Sequence, residues 1–262
     1  ALAFFMHGAK IVFSDVRPDT FNLDENKLEG LVTKNTKAIV LVHYAGIACE
    51  MDAIMEIASR HNLIVIEDNA HGLYGKYKGR YLGTIGHMAT QSFHGTKNFT
   101  SGEGGALLIN DPAFVERAEI IREKGTNRAR FFRGQVDKYT WVDKGSSYVM
   151  SDILAAFLFG QLECAFHIQT VRKSLWNFYY AELEGWANKN NIRLPIVPDS
   201  CQQAYHIFYL LMPNLESRTA FIEDLKLSGV SVVFHYLPLH SSHMGKSITN
   251  NEVGLPIADG VG

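Results

Sequence analysis

Two apolar runs with a helical pattern between them constrain this chain more than anything else in it. Residues 38–43 (Ala-Ile-Val-Leu-Val-His) and 63–67 (Leu-Ile-Val-Ile-Glu) show no polar alternation, and residues 51–60 space their apolar side chains as a helix does. A strand without alternation is one buried on both faces, and a helix linking two such strands carries the chain over the sheet so that the second lies parallel to the first. The expected core is therefore a largely parallel sheet covered by helices, a three-layer α/β domain. Residues 88–93 and 105–110 supply two more strands, 10–14 a shorter β-rich piece and 25–32 a further helix. Asp111 followed by Pro112 opens another helix that runs to residue 124. The carboxylate accepts from the amides of the first turn, and the proline takes a position whose N–H has no helical partner.

Beyond this unit the pattern changes. Residues 125–151 are rich in Arg, aromatic residues and Gly, a strong helix starts near Asp152, and a second runs over 168–186. Strands are expected at 192–194, 206–212 and 230–235, with a helix at 217–227, an order that suggests a small α+β domain. The expected division is a large domain over 1–165 and a small C-terminal one over 166–262. Residues 1–6 read as the end of an apolar helix closed by Gly8 in the left-handed conformation. Residues 243–262 hold only a short apolar piece, 253–257, with no closing helix, and both ends are expected to be incomplete.

Composition narrows the function classes. A chain of 262 residues with 47% apolar and 20% charged residues has the makings of a sizeable core. The formal net charge of -2 provides no positive field to gather nucleic acid or anionic lipid, so small molecules and other subunits are the expected partners. No apolar run approaches the roughly 20 residues that span a bilayer, and no basic region precedes the first apolar stretch, so neither membrane span nor signal peptide is expected. Cys49, Cys164 and Cys201 lack CxxC spacing, which favours a reducing compartment, the cytoplasm. Cys164 reads as a core residue, and none of the three has neighbours that would make it a nucleophile.

The chemistry gathers around Lys97 and Asp68. Asp68 closes an apolar strand at the carboxyl end where open α/β sheets hold their ligands. Lys97 alone reads as a surface lysine, but it lies in a polar turn between two strands, five residues after Ser92 and just before Gly102-Glu103-Gly104-Gly105. A lysine amine to form a Schiff base and a carboxylate to hold a pyridine nitrogen protonated are what pyridoxal 5'-phosphate requires. Ser92 offers a hydroxyl to a phosphate, and His71 lies near enough in sequence to Asp68 to reach the same ring. The glycine turn matches neither Walker nor Rossmann spacing. Arg128 and Arg133 are candidates for a nucleotide diphosphate or a carboxylate, which guanidinium groups bind in bidentate fashion. His206, His235, His240 and His243 have no metal-ligand spacing, so no metal is expected. His235, Tyr236 and His240 instead read as a strand end and loop facing the cleft.

Taken in order, these residues resemble the DegT/DnrJ/EryC/StrS sugar aminotransferases, a family of fold-type-I pyridoxal phosphate enzymes. The likeness covers residues 8–16 and 19–22, His43-Tyr44-Ala45-Gly46, Glu67-Asp68-Asn69-Ala70-His71, Gly83-Thr84-Ile85-Gly86, Ser92-Phe93 through Lys97, and Gly102-Glu103-Gly104-Gly105. It continues through Ala155-Ala156 with Gln161-Leu162, and His235-Tyr236 with Pro238 and His240. The resemblance implies that Lys97 is the Schiff-base lysine, that Asp68 pairs the pyridine nitrogen, that His71 stands near the ring hydroxyl and that Ser92 binds the phosphate. Ser147 occupies the place of an Asn that the family lends to the phosphate of a partner subunit, which implies a homodimer with shared active sites. A further phosphate-binding turn and a ring-stacking aromatic residue belong to the family upstream of residue 1.

Segments 124–128, 132–134, 137–141 and 145–148 resemble the branch that makes dTDP-4-amino-4,6-dideoxygalactose for enterobacterial common antigen. That likeness implies transfer of an amino group from L-glutamate to the 4-keto carbon of dTDP-4-keto-6-deoxyglucose, a nucleotide-linked ketosugar. The alternatives are a ketosugar dehydratase on the same scaffold, against which Lys97 counts, and a truncated paralogue that pairs with or regulates a full-length enzyme.

Overall fold

A computed structural model describes residues 1–249 and 254–262. Two short helices, α1 (Leu2–Phe5) and α2 (Glu25–Leu28), precede β1 (Ala38–Val42), α3 (Met51–Arg60) and β2 (Ile64–Asp68). A small hairpin of β3 (Lys76–Tyr77) and β4 (Arg80–Tyr81) leads to β5 (Met88–Ser92) and β6 (Gly105–Ile109). The main sheet has the order β1-β2-β5-β6, parallel as far as β5 and antiparallel at β6. This is the mixed α/β sheet with helices of a fold-type-I transferase.

The periodicity of α3 explains how the sheet is covered. Met51, Ile54, Ile57 and Ala58 form one stripe that packs with Ile39, Leu41 and Val65 in a single buried cluster. Each large side chain so buried contributes about 1.5–3 kcal/mol. The register puts Leu41, Glu67 and Ala89 in one row across the sheet, and all three lie on the buried face. β1 is buried on that face only. Val40 and Val42 remain 39% and 42% exposed, because alternate side chains of a strand point to opposite faces whatever their polarity.

Downstream, the Asp111 carboxylate accepts from the Ala113 amide at 2.9 Å and opens a turn that continues into α4 (Val115–Arg122). A one-turn helix, α5 (Arg128–Phe132), is followed by α6 (Asp152–Glu163) and α7 (Ala165–Lys189), which bend by 65° at their junction. β7 (Cys201–Gln202) pairs with β3, making a second sheet of order β4-β3-β7. The chain then forms α8 (Leu215–Leu227), α9 (His243–Ile248) and α10 (Pro256–Val261). No single helix among the described residues is long and apolar enough to cross a membrane.

Several expected elements are absent. Residues 10–14, 192–194, 206–212 and 230–235 are not strands; an isolated bridge of Arg193 with Leu211 joins two of these regions. β-branched composition favours extended backbone, but a strand also needs a neighbour to complete its hydrogen bonds, and Val233 is 81% exposed. Cys164 is exposed at the α6–α7 bend, not in the core; the helix before it buries only Leu158. The last segment does contain helices, α9 and α10; the Asp15 carboxylate caps the second, accepting from Ile257 and Ala258 amides at 3.1 and 2.9 Å. Residue 253, where the short apolar piece begins, lies outside the described residues. At the other end, Gly8 has φ of +81° after α1, as a left-handed cap requires.

Candidate active site

The carboxyl ends of β2 and β5 bring the first two site residues together. Asp68 pairs in register with Thr90, and Ser92 lies two residues farther along β5, so Asp68 and Ser92 project from the same face of the sheet. Glu67 faces the other way and is fully buried. Its carboxylate accepts from His43 Nε2 at 2.8 Å and from the amides of Gly83, Ile85 and Gly86 at 2.8, 2.8 and 2.6 Å. Four donors on one carboxylate fasten the end of β2 to the turn before β5, which fixes Asp68 relative to Ser92. Burial alone would push Glu67 up, but the His43 hydrogen bond and the Gly86 and Gly83 amides outweigh it and hold the group below the usual carboxylate range. Asp68 itself receives the Ala70 amide at 3.1 Å.

Lys97 stands on a loop fixed at both ends. The Phe93 amide donates to Gly104 O and the Ser101 amide to Phe93 O, each at 2.8 Å, and the Lys97 amide closes a turn onto His94 O at 2.9 Å. Two residues on, Phe99 is 1% exposed and packs with Phe93, Leu158 and Ala165. The Thr100 amide donates to Gln161 Oε1 of α6 at 2.9 Å. Gly104, with φ of +156°, occupies backbone space where a Cβ would meet the Met150 methyl at 2.4 Å. The loop is thus pinned to the sheet and to α6, with Lys97 on its inner side.

Lys97, Ser92, Ala70, His71, Asn98 and His206 line one cleft. A wider cavity of about 450 Å³, lined by Lys34, Lys37, His61 and their neighbours, lies at the amino ends of β1 and β2, away from these groups. Burial lowers the Lys97 pKa while the Asp68 charge opposes that shift, so the free amine is more accessible than in an exposed lysine. His71 is lowered to about 4 by burial and by the nearby Lys97 and His235; His206 is lowered to about 3 and His235 is also lowered, burial being the main cause in each. Near neutral pH the His71 and His206 imidazoles are uncharged.

The remaining expected residues divide. His235 Nδ1 lies 2.6 Å from Tyr44 Oη, and its ring is 6.1 Å from that of His71, so it belongs to the same cluster. Tyr236 stacks near His235 but is 72% exposed. His240 pairs with Asp259 at 2.9 Å. Arg133 is held in a fork by Glu119 at 2.7 and 2.9 Å, and Arg128 by Glu123 at 3.1 Å, so both guanidinium groups face carboxylates of their own segment. Ser147 is exposed and bridges to Glu123, outside the cleft lining. Among the described residues there is no group of three or more His, Cys, Asp or Glu side chains placed to hold a metal.

Tyr44, Asn98 and His206 join the site although the sequence assigned them no role in it: Tyr44 stands only within a segment of the family likeness, and His206 only among histidines without metal-ligand spacing. Tyr44 follows β1, and its ring lies 6.0 Å from Tyr209, 6.5 Å from Phe21 and 6.2 Å from His71. His206 is more than 100 residues from Asn98 in sequence yet 2.8 Å from it in space. The residues present suit a pyridoxal phosphate group. A carboxylate and a hydroxyl project from one sheet face, a partly buried amine lies beside them, and His71 Nδ1 is buried without a hydrogen-bond partner. An unpaired buried polar atom costs about 1–3 kcal/mol, which a bound polar ring would relieve.

Comparison with known proteins relates the sequence and the fold to aminotransferases. The family model described as the DegT/DnrJ/EryC1/StrS aminotransferase family matches residues 1–261. GDP-perosamine synthase of Caulobacter vibrioides is 35% identical over 89% of this chain and 61% of its own length. The UDP-4-amino-4,6-dideoxy-N-acetyl-beta-L-altrosamine transaminase of Campylobacter jejuni is 30% identical over 99% of this chain and 68% of its own. An aminotransferase of Streptoalloteichus hindustanus superimposes with a TM-score of 0.88 at 26% identity, over all of this chain and 68% of that one. The chain spans about three fifths of the length of several curated relatives it matches.

Proposed function

Because the chain belongs to the DegT/DnrJ/EryC1/StrS aminotransferase family, whose aminotransferases bind pyridoxal 5'-phosphate, we propose that the protein is a pyridoxal phosphate-dependent aminotransferase acting on a nucleotide-linked ketosugar. The observation that carries this reading is Lys97, its pKa lowered by burial, in one cleft with Ser92 and within reach of the Asp68 charge. When bound, the cofactor supplies an electron sink for the pair released at the carbon that gains or loses the amino group.

The chain's own groups do the rest. Lys97 Nζ would hold the cofactor, and as a free amine it would be the base that takes the proton from the amino donor's α-carbon. Its lowered pKa suits this role, since an amine that stays protonated cannot accept a proton. With the cofactor bound, Asp68 would keep the pyridine nitrogen protonated, Ser92 Oγ would donate to the phosphate and His71 would stand near the ring hydroxyl. In the second half of the cycle Lys97 returns the proton to the sugar carbon from one face.

The finer reading is that L-glutamate is the donor, dTDP-4-keto-6-deoxyglucose the acceptor and dTDP-4-amino-4,6-dideoxygalactose the product. It is supported by the segments over 124–148, whereas the relatives named above act on GDP- and UDP-linked sugars. In this reading Ser147 serves the cofactor phosphate of an adjoining subunit in a cytoplasmic homodimer, Arg128 and Arg133 bind the nucleotide diphosphate or the glutamate carboxylate, His235, Tyr236 and His240 face the sugar, and the chain divides at residue 165 into large and small domains. Borohydride reduction of the cofactor-loaded protein followed by peptide mapping should place the label on Lys97 and lose it in Lys97→Ala. Product analysis with glutamate and dTDP-, GDP- or UDP-linked ketosugars then selects the substrate. A protein that takes up no cofactor would refute the enzymatic reading in favour of a pairing subunit; conversion of only GDP- or UDP-sugars would refute the dTDP assignment.

A further inference from the structure

We propose that His206 is a positioning residue for Lys97: as the Nδ1–H tautomer it ties the lysine loop, through Asn98, to the distant segment over 203–206. Hydrogen-bond direction along one short chain of groups requires that tautomer. Asn98 is buried, and its Nδ2 donates to Ala204 O at 2.7 Å. A carbonyl oxygen can only accept, so the amide orientation is settled and Asn98 Oδ1 is the atom that faces His206 Nδ1 at 2.8 Å. Oδ1 can only accept as well. The proton therefore resides on Nδ1, and Nε2 of the uncharged ring carries a lone pair.

Both ends of this tie are rigid. The Ala204 amide donates to Gly46 O at 2.9 Å, and a Cβ on Gly46 would meet Ala204 Cβ at 2.8 Å, so the segment lies directly against the turn after β1. Arg172 of α7 donates to Tyr205 O at 3.3 Å and to His206 O at 3.4 Å. The His206 ring lies 4.3 Å from that of His71 at an interplanar angle of 32°. Asn98 adjoins Lys97 in the chain. A donor fixed on one side by Arg172 and on another by His71 thus holds the residue next to the reactive amine. Burial, then His71, Lys97, Arg172 and His235, pushes the His206 pKa down to about 3, which keeps a second cation away from Lys97.

The meaning of this tie for catalysis rests on Lys97 being the cofactor-bearing lysine, but its test does not. In ¹⁵N-histidine-labelled protein, His206 should show a protonated Nδ1 and an unprotonated Nε2 throughout about pH 5.5–7.5, where an ordinary histidine titrates. An Nε2–H tautomer, or a normal titration, would overturn the inference. Hydrogen exchange at Lys97 and Asn98 supplies the functional readout without cofactor. His206→Phe keeps the ring and loses the donor, and should speed exchange there about tenfold, whereas His206→Asn, whose side-chain N–H reaches the Nδ1 position, should restore most of the protection. Phe indistinguishable from wild type, or Asn as loose as Phe, would show that ring packing alone holds the loop. Should His206→Phe not fold, the tautomer measurement on the unaltered protein decides. A confirmed tie in a protein that never attaches cofactor would remove the proposed function and leave the structural inference standing.

Discussion

Replacing Glu67 with Gln tests whether the buried carboxylate behind Asp68 organises the site. The side chain is fully buried and each of its oxygens takes two donors: His43 Nε2 and the Gly83 amide on Oε2, the Ile85 and Gly86 amides on Oε1. His43 Nδ1 accepts from the Cys49 amide at 3.2 Å, so Nε2 carries the proton that Glu67 receives. Gln has nearly the same shape, but its NH2 must replace one oxygen and would then face two donors. Turned toward Ile85 and Gly86, it strands two backbone amides. Turned toward His43 and Gly83, it strands one amide and makes His43 change tautomer and give up the Cys49 bond.

Either orientation leaves two buried donors stranded, at about 1–3 kcal/mol each, so the substitution should cost about 2–6 kcal/mol. That is a large share of the roughly 5–15 kcal/mol that holds a domain together. Urea unfolding should show the loss as a lower midpoint at unchanged slope. The pH dependence gives a second check. The folded-state pKa of Glu67 is depressed, so its contribution is present above the unfolded value of about 4.3 and is lost as pH falls through the folded value. Wild-type stability should therefore include an acid limb below about pH 4.3 that Glu67→Gln lacks. A variant within about 1 kcal/mol of wild type at pH 7, or one with the same acid limb, would refute the four-donor account.

Two further substitutions probe the lysine loop and the turn facing it. Phe99→Ala empties a site only 1% exposed and should cost about 3–5 kcal/mol in urea unfolding while loosening hydrogen exchange over 97–101; a loss below about 1 kcal/mol would mean the loop is held by its backbone bonds alone. Gly46→Ala combines a φ of +82° with a Cβ only 2.8 Å from both Ala204 Cβ and His71 O, and should destabilise by more than the about 1 kcal/mol of a left-handed alanine, with altered His71 chemical shifts as the local sign; unchanged shifts would sink the proposed close approach.

The central βαβ unit was legible because its determinants are local. α3 appears over the residues its apolar stripe marks, β1 falls within its expected run, and β2 is shifted by one residue from its own. The Asp111-Pro112 start is also present. The missing strands at 192–194, 206–212 and 230–235 fail for a different reason: extended propensity resides in the segment, but the partner that makes a strand is elsewhere. Arg128 and Arg133 show the same division. The sequence marks them as fit for anions, while the structure shows Glu123 and Glu119 already taking that role within the segment.

Within the site, what the sequence determined by itself is the set of groups at strand ends: Asp68 closing β2, Ser92 closing β5 and Lys97 in the turn that follows. Side-chain alternation and the parallel crossover then oblige the first two to share a face. What only the tertiary structure decided is which distant groups complete the cleft. Tyr44 meets His235 across 191 residues and Asn98 meets His206 across 108, with no periodicity or spacing to connect them. The physical reason is that backbone hydrogen bonding and apolar periodicity act over a few residues, whereas the direction of a buried side-chain hydrogen bond depends on what the completed packing leaves beside it.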